Sequence, residues 1–161
     1  MSTPWDWLPE VGSGAGYAVV TADGFGFGDV VTDPLPFWAR VTKLDSDQNV
    51  DATLAKYRVA HGSAILGASL GPGTWTFTAM PAQATTPVAL EDAFEAAEAA
   101  WRPDPAEPWA SIWVHLPGRR FRLDGHFGTV TPTRITPGHG VGSVTCQFIA
   151  ANPLRLPEET P

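Results

Sequence analysis

The stretch Thr74-Trp-Thr-Phe-Thr-Ala-Met80 decides the fold class. Threonines at 74, 76 and 78 recur with a period of two, and Trp75, Phe77 and Ala79 fill the alternate places. Side chains alternate across a β-strand, so this pattern predicts one apolar face for a core and one polar face.

Working outward, the 16 glycines and 16 prolines of this 161-residue chain cut it into short segments, as in an all-β fold rich in turns. Towards the N-terminus, residues 17–21 predict a first strand closed by Asp23-Gly24, with 25–31 as its hairpin partner. Residues 37–44 predict a third strand that ends in the polar run Asp45-Ser-Asp-Gln-Asn49. Residues 54–60 form a weaker strand, and His61-Gly62 opens a glycine-rich connection that leads to Thr74.

Towards the C-terminus, one amphipathic helix is predicted over about 87–102. Thr86 caps it, and Pro87 suits the first helical position, where no backbone donor is missed. Leu90, Phe94, Ala97 and Trp101 then form an apolar stripe at helical spacing, and Arg102-Pro103 ends it. Residues 109–116 alternate again, and Pro117-Gly118 turns the chain into 119–125. In that run Phe121 and Leu123 oppose Arg120 and Arg122. Residues 129–136 and 141–150 predict a last hairpin around Pro137-Gly-His-Gly140.

Composition narrows the function classes. Ten basic residues against 17 acidic ones give a net charge of -7, the wrong balance for a protein that grips phosphates. A single cysteine, Cys146, forbids an internal disulfide, and its apolar setting predicts a buried, inert thiol. No apolar run approaches the ~20 residues of a membrane span, and the N-terminal sequence lacks signal-peptide character. The expectation is a soluble protein made in a cytoplasm, with no membrane binding of its own.

No catalytic constellation emerges, and no cofactor or metal is expected. His61, His115, His126 and His139 lack metal-ligand spacing and read as scattered turn or surface histidines. Glu91, Asp92, Glu95 and Glu98 decorate the predicted helix, where a solvated face accounts for them. No serine sits in a Gly-x-Ser-x-Gly elbow, and the glycine-rich runs lack a following Lys-Ser/Thr.

The tryptophans are more informative. Trp75, Trp101 and Trp113 sit in periodic elements and predict core or interface anchors. Trp5 and Trp7 lie in a short head followed by Gly12-Ser-Gly-Ala-Gly16, which cannot form a core alone. Their burial partner lies on this domain or on a neighbouring subunit. Arg119, Arg120 and Arg122 form the densest basic group, read as a strand face that pairs with a neighbour's acids. Trp5, Trp7, Arg119, Arg120 and Arg122 are therefore the candidate interface residues. A carbohydrate-binding module using Trp5, Trp7 or Trp109 is the competing account.

The order of these pieces resembles a known family. Arg58-Val-Ala-His-Gly62 precedes Gly71-Pro-Gly-Thr-Trp-Thr-Phe77, then a helix ending in Trp101-Arg102. The strand pair Ile112-Trp-Val-His-Leu-Pro-Gly-Arg-Arg-Phe-Arg122 follows, and Cys146-Gln-Phe-Ile-Ala-Ala-Asn-Pro153 closes the pattern. Over residues 25–155 this is similar to the N-terminal belt domain of distal tail (baseplate hub) proteins of long-tailed bacteriophages, especially minor tail proteins of actinobacterial phages. The resemblance implies a mainly β, sandwich- or barrel-like domain of tail-tube type flanked by one helix. Residues 1–24 would be an arm and first strand, 25–153 the belt-type domain, and 154–161 a tail or linker. It further implies a non-enzymatic virion protein at the tail tip, assembled as a homohexameric ring. Its partners would be the tail-tube protein, the tail-tip hub protein and, through a central channel, the tape-measure protein and DNA. A tail-tube or tube-terminator subunit shares the same plan.

Overall fold

The computed structural model describes residues 3–11, 16–28, 40–56, 63–81 and 86–151. Among the described residues, seven strands follow one another as β1 (Ala18–Thr21), β2 (Gly26–Gly28), β3 (Arg40–Lys56), β4 (Ser63–Met80), β5 (Ala110–Leu116), β6 (Arg119–Thr136) and β7 (Val141–Ala150). A four-residue helix, α1 (Pro4–Trp7), precedes them, and α2 (Pro87–Ala100) lies between β4 and β5. All pairings are antiparallel, in the order β2-β1-β5-β6-β7-β4-β3. The mainly β fold with a flanking helix is as the sequence predicts.

The sheet folds over along β6. The first part of that strand, Arg119 to Gly125, pairs with β5. From His126 onward it pairs with β7 on its other edge. Gly125 stands at the change of partner. A Cβ there would run into the Ile149 carbonyl and lie 2.7 Å from the Ala151 nitrogen, so only glycine permits the approach. Two layers result, β2-β1-β5 with the start of β6 and β3-β4-β7 with its end, and the apolar faces meet between them.

The core is aromatic. Trp101, at the end of α2, is 2% exposed and lies within 4.8–6.3 Å of Phe27, Phe77, Phe127 and Phe148, ring centre to ring centre. Its indole N–H donates to the Gln147 carbonyl at 2.8 Å, which satisfies the one polar atom brought inside. Phe27 belongs to β2 and Phe77 to β4, so this single side chain ties both layers together. On α2, Leu90, Phe94 and Ala97 are buried as the stripe predicts. The Thr86 hydroxyl accepts from the Ala89 N–H at 3.2 Å and caps the helix. The helix also rests on the β6–β7 hairpin at Gly142, where a Cβ would come within 2.9 Å of Phe94.

Three readings of the sequence need correction. The polar run 45–49 does not end a strand; β3 passes through it with a register shift between Gln48 and Val50. The glycine-rich stretch after residue 62 is not a connection but the first half of β4. Residues 119–125 and 129–136 are one strand, not two. The parts of earlier assignments that fall on 12–15, 29–31, 37–39, 57–62 and 152–161 lie outside the described residues.

Candidate functional site

Among the described residues, no cluster of three or more His, Cys, Asp or Glu side chains could hold a metal ion. Cys146 is fully buried, and desolvation pushes its thiol well above the usual thiol range, the opposite of an activated nucleophile. Glu91, Asp92, Glu95 and Glu98 are exposed, as predicted. Glu91 takes a bidentate ion pair from Arg134 on β6, and that hydrogen bonding holds its carboxyl below the usual 4.5. No helix among the described residues is long and apolar enough to cross a membrane.

What the fold does build is surface. The first feature is an arm. β4 pairs with β7 only from Gly73 to Ala79. Beyond Gly73, residues Leu70 to Ser63 pair, among the described residues, with Val50 to Lys56 of β3 alone. Gly71 and Pro72 sit at the register shift where the arm leaves the sheet. Proline lacks the N–H that a third strand would need, so its place at this root suits a ribbon of two. Seven paired positions correspond to about 24 Å of projecting ribbon. An isolated two-stranded ribbon is marginal in water, and β3 has no pairing partner on its outer edge among the described residues. The opposite edge of the same layer is blunted: Pro132 sits in β6 beside Val144 of β7.

The second feature is the outer face of the β1–β5–β6 layer. Register places Ala18, His115 and Arg120 in one row, and Val20, Trp113 and Arg122 in the next. Helix α1 lies over these rows. Its turn is closed by Asp6, whose carboxylate accepts from the Thr3 N–H at 2.8 Å. Trp5 meets Trp113 edge-on at 6.3 Å, the Arg120 guanidinium sits 5.6 Å from the Trp5 ring, and Leu8 is buried beside Ala18 and Val20. Arg120 also donates to the Trp5 and Pro9 carbonyls at 3.4 Å each. The burial partner that Trp5 and Trp7 require is thus present on this domain. Arg122 pairs with Asp124 on its own strand at 3.1 Å, Ser111 donates to the same carboxylate at 2.6 Å, and Arg119 is exposed at the β5–β6 turn.

One histidine departs from the sequence reading. His115 is not a surface or turn residue; it is 1% exposed under this face. Its Nδ1 lies 2.6 Å from the Gly16 carbonyl, so that nitrogen carries the hydrogen and donates it. The signal was present: His115 continues the strict alternation of 109–116, and periodicity outweighs residue type when a face is covered. Trp109, at 60% exposure, lies outside β5 and four residues from Trp113.

No known family profile matches the chain, and no curated protein matches it. Among solved structures, the fold is similar to the crystal structure of the Dit protein (gp 19.1) of phage SPP1, described as a paradigm of the hub adsorption apparatus in phages infecting Gram-positive bacteria. The TM-score is 0.60 at 16% sequence identity, over 85% of this chain. The chain spans half the length of that protein.

Proposed function

We propose that this chain is a structural subunit of a bacteriophage tail, forming a homohexameric hub ring at the distal end of the tail tube. The projecting β3–β4 arm carries the reading. A ribbon that is marginal alone, with both edges unpaired among the described residues and a proline-marked root, is completed when a neighbouring copy covers it. The fold likeness to a phage hub protein supports the same setting. Repetition of such a contact around a closed rotation gives a ring. Its faces would meet the tail-tube protein on one side and the tail-tip hub protein on the other, and its channel would pass the tape-measure protein and DNA. Trp5, Trp7, Arg119, Arg120 and Arg122 mark the outer face offered to neighbours, and no chemistry is asked of the chain.

Shortening the arm tests this reading. Wild-type protein and a variant in which 50–70 is replaced by a two-residue turn are imaged by negative stain, with circular dichroism confirming that both fold. Rings from the wild type and isolated particles from the shortened chain are the expected result. Rings from both would remove the arm from the assembly.

A further inference from the structure

Beneath helix α1 the fold buries an imidazole, a group that changes charge in water between about pH 5 and about pH 8. His115 stands on β5 between Ala18 of β1 and Arg120 of β6, on the side that α1 covers. Facing positions of an antiparallel pair bring their Cβ atoms to about 5 Å, so a guanidinium is its lateral neighbour. With Nδ1 donating to the Gly16 carbonyl at 2.6 Å, Nε2 is the nitrogen left to accept a proton. That nitrogen is buried, and no hydrogen-bonding group among the described residues meets it.

A proton there creates a buried N–H without an acceptor among the described residues, and a second cation beside Arg120. The surrounding elements offer little to offset it. On β6, Arg119 and Arg122 are further cations, and Asp124 is engaged by Arg122 at 3.1 Å and by Ser111 at 2.6 Å. At the head, the Asp6 carboxylate is exposed and accepts from the Thr3 N–H, and Glu10 is exposed. On β1 the row supplies only Ala18, and Tyr17 before it is 44% exposed. On the same face of β5, Trp113 and Ser111 carry no titratable group.

The contacts that seat α1 run through these same positions. Trp5 rests on Trp113 and Arg120, and Leu8 on Ala18 and Val20, in a cluster separate from the main core. A charge under this face therefore loads the head and spares the sandwich.

We propose that His115 is a proton-operated latch for the N-terminal head. With a neutral ring α1 stays docked; protonation of Nε2 releases it and uncovers Ala18, Val20, Trp113 and Arg120. The docked face fits the neutral ring, so docking is complete at the alkaline end of the histidine range and is lost as pH falls through it. Tryptophan and arginine dominate protein contacts, so release turns a covered face into a binding one. The latch acts within one chain and does not depend on the ring.

The test follows the full chain from about pH 8 to about pH 5. The Asp6 and Leu8 amides donate to the Thr3 and Trp5 carbonyls at 2.9 and 3.2 Å, and their exchange, divided by the intrinsic rate at each pH, reports the head. Nitrogen NMR of the His115 ring follows the proton. Protection of Asp6 and Leu8 is expected to fall about tenfold as the ring takes its second proton, while β7 keeps its protection. His115→Gln, which retains an N–H for Gly16 and carries no charge, should hold the head throughout. The same loss in His115→Gln overturns the latch. So does a wild-type ring that takes its proton with the head still protected, or that stays neutral down to about pH 5. If His115→Gln does not dock the head at the alkaline end, the wild-type ring and amide readings decide.

Discussion

The Trp75 ring on β4 lies 5.5 Å from the Phe121 ring on β6, across the interior from one layer to the other. Neither strand pairs with the other, so this contact reports how firmly the sheet is folded over. Phe121→Ala removes a side chain that is 3% exposed and leaves a cavity at the closure. A loss of about 3–5 kcal/mol in urea unfolding is expected, with Phe121→Leu costing less.

Gly125 is the hinge of the same closure. A methyl group there meets the Ile149 carbonyl and the backbone at Ala150 and Ala151, none of which is the end of a flexible side chain. Gly125→Ala should exceed the ~1–3 kcal/mol of ordinary overpacking. Gly138→Ala, where a Cβ meets nothing within 4 Å, is the control and should leave the urea midpoint nearly unchanged.

Much of the fold was legible because burial enforces periodicity. Thr74 to Met80, the Leu90-Phe94-Ala97-Trp101 stripe and the alternation of 109–116 each predicted an element the structure contains. The errors share one cause. Asp45 to Asn49 and the glycine-rich run from Gly62 to Gly73 are read as punctuation because turns favour such residues, and 126–128 as the gap between two strands. In the folded chain they serve as a bulge in an edge strand, the root of a two-stranded arm and the crossing from one layer to the other. These roles depend on partners distant in sequence, which local residue preference does not encode. The outer face was half legible. Trp5 and Trp7 plainly needed a partner, but only register showed Ala18, Val20, Trp113 and Arg120 gathered to receive them.

Helix α1 is held by a small apolar cluster separate from the main core. Its loss should therefore be local. Trp5→Ala or Arg120→Ala is expected to speed amide exchange at Asp6 and Leu8 by at least tenfold, while the exchange of β7 stays unchanged. Equal acceleration in β7 would show that the head is integral to the core.

The Arg134–Glu91 pair gives a signed pH dependence. Hydrogen bonding from Arg134 lowers the Glu91 carboxyl below 4.5 in the folded chain. A group with a depressed folded value stabilises above its unfolded value and loses that contribution as pH falls through the folded one. Urea midpoints of the wild type should therefore fall below pH 4.5 relative to those of Glu91→Gln, and the gap between the two should narrow. The effect is small because the pair is exposed. A gap that widens on acidification would contradict the assignment.

The central claim is assembly, and native mass spectrometry of the full chain tests it most directly. The account predicts a dominant species at six times the 17.2 kDa subunit, resolving to single chains when the spray is activated. A 17.2 kDa monomer at every concentration, alone and with tail-tube protein added, would contradict it.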